Sequence, residues 1–152
     1  MKKLFFPIMA LLLAAAVSAQ ELTAVVDGIQ VELEFASGIS ERMPTGMAAS
    51  FGADVGKVFA WCRVTGAADT TSIRHVYYYN GEEMATVDLP VKSPSWRTWS
   101  SKDILPQWVG HWEVKVFNAS GSLLAAKAFS ITALAPIEPP PAEIQGTQTT
   151  GQ

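Results

Sequence analysis

Cysteine is almost absent from this chain: Cys62 is the only one in 152 residues. No internal disulfide can form, so stability has to come from buried apolar surface. Histidine is nearly as scarce, with His75 and His111 alone. No H-x-H or C-x-x-C spacing gathers metal ligands, so neither a metal nor any other cofactor is expected. Positive charge is thin and scattered. Setting Lys2 and Lys3 aside leaves 11 − 2 = 9 Lys and Arg against 14 Asp and Glu, a net charge of −5. With no basic run, nucleic acid and anionic membrane surfaces are excluded as natural partners. No segment shows a sustained helical period with caps, which removes helical bundles and α/β folds from consideration.

Long apolar runs are also lacking, with one exception. Leu4 to Val17 is 14 residues long, comes after the basic pair Lys2-Lys3, and ends at Val17-Ser18-Ala19, with small residues at the −3 and −1 positions of a cleavage site. A spanning helix needs about 20 apolar residues, so residues 1–19 read as a secretory signal peptide cleaved near Ala19/Gln20. No cysteine directly follows the apolar run to take a lipid anchor. The expected location is periplasmic or extracellular, with no membrane span after cleavage. The other 152 − 19 = 133 residues are enough for one domain with a core and too few for two. Residues 20–134 form that domain. From Ala135 the composition shifts to Pro136, Pro139, Pro140, Pro141 and a polar end, so 135–152 reads as a Pro-rich disordered tail.

Within the domain the dominant period is two. Gln20 to Ala36 alternates around Val31, Leu33 and Phe35 and predicts a half-buried strand. Ser37 to Gly56 is weakly patterned and reads as a long connection with an edge strand in it, packed down by Met43, Met47 and Phe51. Lys57 to Thr65 puts Val58, Ala60, Cys62 and Val64 on one face and Phe59, Trp61 and Arg63 on the other. Ser72 to Tyr79 places Ile73, His75, Tyr77 and Tyr79 together, and Asn80-Gly81 is the strongest hairpin signal in the chain, returning through Glu82 to Leu89. His111 to Asn118 sets Trp112, Val114 and Val116 against His111, Glu113 and Lys115, and Asn118 to Gly121 turns into Leu123 to Thr132. Asn118-Ala119-Ser120 also fits a glycosylation sequon, but its place in a hairpin turn explains it more simply. About seven strands with turn signals every 8 to 12 residues predict an all-β fold. The expected architecture is an immunoglobulin-like antiparallel β-sandwich without the inter-sheet disulfide of antibody domains.

Five segments together resemble a known bacterial family, catalogued as Domain of Unknown Function 2914, over about Val55 to Ile131. They are G-K-V-F-A-W-C-R-V at Gly56–Val64, H-V-Y-Y-Y-N-G at His75–Gly81, W-R-T-W-S-S-K at Trp96–Lys102, G-H-W-E-V-K-V-F at Gly110–Phe117 and A-K-A-F-S-I at Ala126–Ile131. Tyr77 stands where such proteins often carry Trp, and Cys62 where they often carry Phe. The resemblance implies an exported or membrane-tethered bacterial β domain, and supplies no reaction, cofactor or substrate.

Candidate chemistries rank low beside binding. Cys62 alternates in phase with core residues, where apolar surroundings raise a thiol's pKa and make it inert. Ser100 and Lys102 share a strand face, but no Gly-rich turn presents the serine. A metal site would need His75, His111, Cys62 and Asp88 to converge from separate strands. Glu82 and Glu83 are adjacent and point to opposite faces, which defeats a carboxylate pair. No catalytic residue is assigned.

Five Trp and three Tyr exceed what a small core needs. With Arg, Ser and Thr beside them they suit a glycan or a protein surface. The candidate binding residues are His75, Tyr77, Arg97, Trp99, Ser101 and Lys102, and the expected partner is an envelope protein or glycan. One alternative is a small envelope enzyme or metal-dependent protein using His75, Arg97, Ser100 and Lys102. Another is a structural spacer, with Trp96 and Trp112 as core and Arg97 stacked on Trp99. The stretch Ser93–Leu105 concentrates these residues. Extended, it turns Trp96, Thr98, Ser100 and Lys102 one way and Arg97, Trp99, Ser101 and Asp103 the other.

Overall fold

Asn80 and Gly81 adopt φ of 46° and 84°, the left-handed pair that a two-residue hairpin turn requires and that these residue types tolerate best. They join β6 (Thr71–Tyr79) to β7 (Glu82–Val91). In the computed structural model, which describes residues 21–137, every regular element is a strand. Residues 1–19, expected to be a signal peptide, and the part of the expected tail from residue 138 onward lie outside the described residues.

The chain runs β1 (Leu22–Thr23), β2 (Gln30–Ser40), β3 (Met43–Met47), β4 (Ser50–Gly52) and β5 (Lys57–Thr65), then β6 and β7. It ends with β8 (Ser95–Asp103), β9 (Gly110–Asn118) and β10 (Leu123–Thr132). One sheet has the order β3-β2-β5-β8. The other has β1-β10-β9-β6-β7, with β4 also on β10. The seven long strands therefore split as β2-β5-β8 against β10-β9-β6-β7, and the chain changes sheet between β5 and β6, between β7 and β8, and again between β8 and β9. That is an immunoglobulin-like sandwich. The sequence expectation of about seven strands counts the long ones; the three short ones were not legible.

Two of those short strands occupy the weakly patterned connection. β3 pairs antiparallel with β2, and β4 pairs parallel with β10, carrying the chain from one sheet to the other. Phe51 is buried there as expected, but Met43 and Met47 are 43% and 60% exposed and pack nothing down. β3 is an edge strand with one open face, so its methionines meet solvent. The first strand is also displaced from its expected span. It begins at Gln30, because Asp27 and Gly28 turn the chain at positive φ just before it.

The alternation holds elsewhere. Val31, Leu33 and Phe35 of β2 lie beside Val64, Cys62, Ala60 and Val58 of β5 on the inner face of one sheet, and all are nearly inaccessible. Trp112, Val114 and Val116 of β9 do the same from the second sheet. Trp112 is the hub. It stacks on Phe129 at 5.9 Å between ring centroids and meets Tyr79 and Trp108 at 4.9 and 5.9 Å. Phe129 in turn meets Phe35 at 4.7 Å, which links the two sheets. Asn118, expected as a turn residue, accepts hydrogen bonds at Oδ1 from the amides of Ser120 and Ser122. The turn reading of its sequon thereby has a structural basis.

Candidate functional site

β8 is an edge strand with two different faces, as its alternation predicts. Thr98 and Ser100 are buried and Trp96 and Lys102 half-buried on the inner side. Arg97, Ser101 and Asp103 are exposed on the outer side, with Trp99 half-buried among them. The six candidate binding residues are therefore divided. His75 and Tyr77 have 0% exposure and lie between the sheets, where no external partner reaches them. Arg97, Trp99 and Ser101 share the outer face, and Lys102 sits at the inner end with its ammonium 4.6 Å from the Trp108 ring.

The inner residues form one polar chain across the sandwich. His75 Nδ1 lies 2.6 Å from Ser100 Oγ, Tyr77 Oη lies 2.7 Å from the same oxygen, and His75 Nε2 lies 3.1 Å from Cys62 Sγ. One proton arrangement uses every strong donor. Tyr77 donates to Ser100, Ser100 donates to Nδ1, and Nε2–H donates to the cysteine sulfur, leaving only the weak S–H without a partner. Among the described residues no buried side-chain nitrogen or oxygen lacks a partner. Burial pushes the His75 pKa down to about 4 and the Cys62 and Tyr77 pKa values well above their ordinary ranges. Each group is thus held neutral, because charging it in this interior has no compensating partner. A Cys–His contact is the geometry of an activated thiol, but a buried neutral pair is not activated. The chain is structural. Ser100→Ala leaves both Nδ1 and the Tyr77 hydroxyl unmatched, and is expected to lower stability by about 1–3 kcal/mol in urea unfolding. A shift no larger than that of an exposed control such as Ser101→Ala would contradict this role.

The enzyme alternative needs His75, Arg97, Ser100 and Lys102 in one accessible pocket. The fold places His75 and Ser100 in the core, Arg97 on the outer face and Lys102 at one end. His111 and Asp88 do not join His75 either: Asp88 pairs with Arg74 at 2.7 Å on the outer face of the second sheet. The hydrogen bond from Arg74 holds the Asp88 carboxyl below the usual carboxylate range. Among the described residues no group of three or more metal-ligating side chains is placed to hold an ion.

The outer face has an element that sequence reasoning missed. The β2–β3 turn at Glu41 and Arg42 folds over the sheet, and its Arg42 carbonyl accepts a hydrogen bond from Trp61 Nε1 at 2.9 Å. That contact covers Trp61, which is 3% exposed although it points away from the core. The Arg42 guanidinium reaches β8, lying 5.2 Å from the Trp96 ring and 5.8 Å from the Trp99 ring, and Nη2 donates to the Arg97 carbonyl at 2.8 Å. Arg42, and not Arg97, is the cation on the tryptophans. Both turn residues sit at positive φ, 49° and 63°, a conformation that costs a non-glycine residue roughly 1–2 kcal/mol. Strain of this kind persists where surrounding contacts over-determine it, and it concentrates at functional sites. No Asn-Gly or Asp-Gly marks this turn, so the sequence carried no signal for it.

The resemblance seen in the sequence holds over part of the chain. A family model described as Protein of unknown function (DUF2914) matches residues 70–131, which is 131 − 69 = 62 of 152 residues. The match takes in β6 to β9 and nearly all of β10, including the Trp96–Lys102 motif, and leaves out β5 with its Gly56–Val64 run. No curated protein matches the chain.

Proposed function

We propose that this protein is a non-catalytic interaction module of the bacterial cell envelope, exported by its N-terminal segment, that contacts another protein through β8. One observation carries the reading: a strained turn holds Arg42 over Trp96 and Trp99 at an exposed sheet edge, beside the free Arg97 side chain. Trp and Arg at a solvent-facing rim are the residue types that dominate protein interfaces. Glycan contact is the weaker form, because sugar stacking needs an open ring face and Arg42 already lies over both rings. The enzyme alternative has no support from a His75 that is sealed in the core. A spacer would have no use for a strained arginine clamp.

The test is capture from envelope extract by immobilised protein. Arg97→Ala and Trp99→Ala are expected to reduce specific capture about tenfold or more, the effect of losing a central interface residue, while thermal melting stays close to wild type. Arg74→Ala, on the opposite sheet, is expected to change nothing. Equal capture by all three variants would sink the proposal.

A further inference from the structure

We infer that the free edge of β8 accepts an extended acidic peptide segment of its partner as an added strand. This rests on the interaction-module reading and specifies its partner.

The backbone supports it first. Among the described residues β8 bonds to β5 on one side only. Gly66 N–H donates to the Pro94 carbonyl and Ile104 N–H to the Gly56 carbonyl, so even-numbered positions face β5. The contacts on the other side fall on odd positions: Arg42 on the Arg97 carbonyl, Ser93 Oγ on the Ser95 carbonyl and Lys102 Nζ on the Asp103 carbonyl. The N–H and C=O of Trp99 and Ser101, and the N–H of Arg97, therefore point away from the sheet, as the alternation of an antiparallel ladder requires. A row of such groups is a template for strand addition. The other outer edges are less suited. β3 carries Pro44 and Gly46, and β7 carries Pro90, a register shift opposite Tyr77/Tyr78 and the carboxylates Glu82 and Glu83. β8 has no proline, glycine or bulge.

Charge selects the occupant. Among the described residues, Lys57, Arg63, Arg74, Lys115 and Lys127 each form a salt bridge with a carboxylate. The remaining cations, Arg42, Lys92, Arg97 and Lys102, form none, and all of them lie on β8, in the link leading into it, or on the turn that reaches it. In a domain of net negative charge this is a local positive field. The register sharpens it. Across the outer face Glu32 pairs with Arg63, and Arg63 pairs with Arg97, so Arg97 has a cation across from it on β5, and a carboxylate on the next strand would give it the opposite charge that Arg63 already has in Glu32. Opposite charges directly across a ladder are favourable and like charges are not. A second copy pairing through its own β8 would bring the same unpaired cations, Arg42, Arg97 and Lys102, from both copies to one shared edge. The Arg42 side chain guards the Arg97 carbonyl in the free protein, and an arriving carboxylate gives it a new partner.

The probe is a short labelled peptide alternating Glu and Val, its binding to the full chain read by fluorescence anisotropy. It is compared with a Lys/Val peptide and with a Glu/Val peptide N-methylated at alternate residues, which keeps the charge and loses one edge of N–H groups. The acidic peptide is expected to bind, the Lys peptide not to bind, and N-methylation of the β8-facing edge to weaken binding about tenfold. Arg97→Glu is expected to exchange the preference for acid against base, with unchanged melting. The Trp99 and Ser101 amides are expected to gain hydrogen-exchange protection on binding. Equal binding of the methylated and unmethylated acidic peptides would overturn strand addition. So would failure of every peptide, or a dimer in sedimentation that Arg97→Glu dissociates. Those failures remain distinct from failure of the interaction module itself, which is read from extract capture by the Arg97→Ala and Trp99→Ala variants.

Discussion

Trp112→Ala is expected to lower the unfolding free energy by about 3–5 kcal/mol, the range for deleting a fully buried Trp or Phe side chain. The magnitude comes from where the ring sits. Trp112 has 0% exposure, stacks on Phe129 with an interplanar angle of 10°, and contacts Tyr79 and Trp108. Its Nε1–H donates to the Trp108 carbonyl at 3.2 Å, so the loop between β8 and β9 is also tied to it. Neighbouring rings on rigid strands cannot collapse into the space, and a residual cavity adds to the lost burial. Trp99→Ala, on the outer face and half-buried, is expected to cost about 1 kcal/mol or less. Urea unfolding of both variants checks the contrast. Comparable losses would mean that the packing centre has been misplaced.

Acid is expected to destabilise the protein through His75. Its pKa is about 4 in the fold and 6.5 in the unfolded chain. Above pH 6.5 both states hold the ring neutral, and the group contributes no pH dependence. Between 6.5 and about 4 only the unfolded chain takes up the proton, so stability falls as pH falls. The slope ends near pH 4, where the folded ring also protonates. The gap corresponds to roughly 3 kcal/mol. The charged and titratable neighbours are few, since Cys62, Ser100 and Tyr77 surround the ring and none is ionised. Denaturant unfolding at pH 7.5 and pH 4.5 reads the effect, with His75→Gln as the comparison because glutamine hydrogen-bonds without titrating here. An equally steep loss in the glutamine variant would assign the acid sensitivity elsewhere.

Much of the fold was legible because strand periodicity is local. The inward sets of β5, β6 and β9 could be read residue by residue, and Asn80-Gly81 named its own turn. The division of β8 into two faces was legible for the same reason, with Arg97 and Trp99 on one side and Ser100 on the other, but the burial of Ser100 was not. Residues 37–56 were not legible, since β3 and β4 are held by pairing partners distant in sequence and carry little alternation of their own. The candidate site fared similarly. His75 and Tyr77 share a strand face with Ile73, which marks them as inward, but their polar side chains suggested a surface role until Ser100 and Cys62 were seen to satisfy them.

By itself the sequence determined the class of fold, the absence of a disulfide, and how the residues of most long strands divide between two faces, because a period of two is a property of neighbouring residues. Tertiary structure alone decided the rest. It brought Cys62, His75, Tyr77 and Ser100 from different strands into one neutral chain, and it carried Arg42 across the sheet onto Trp96 and Trp99. Among the described residues it also left β8 without a neighbour on one side. Each of these depends on which strands become adjacent, and adjacency is set by burial of the whole apolar surface at once, not by any one segment's pattern.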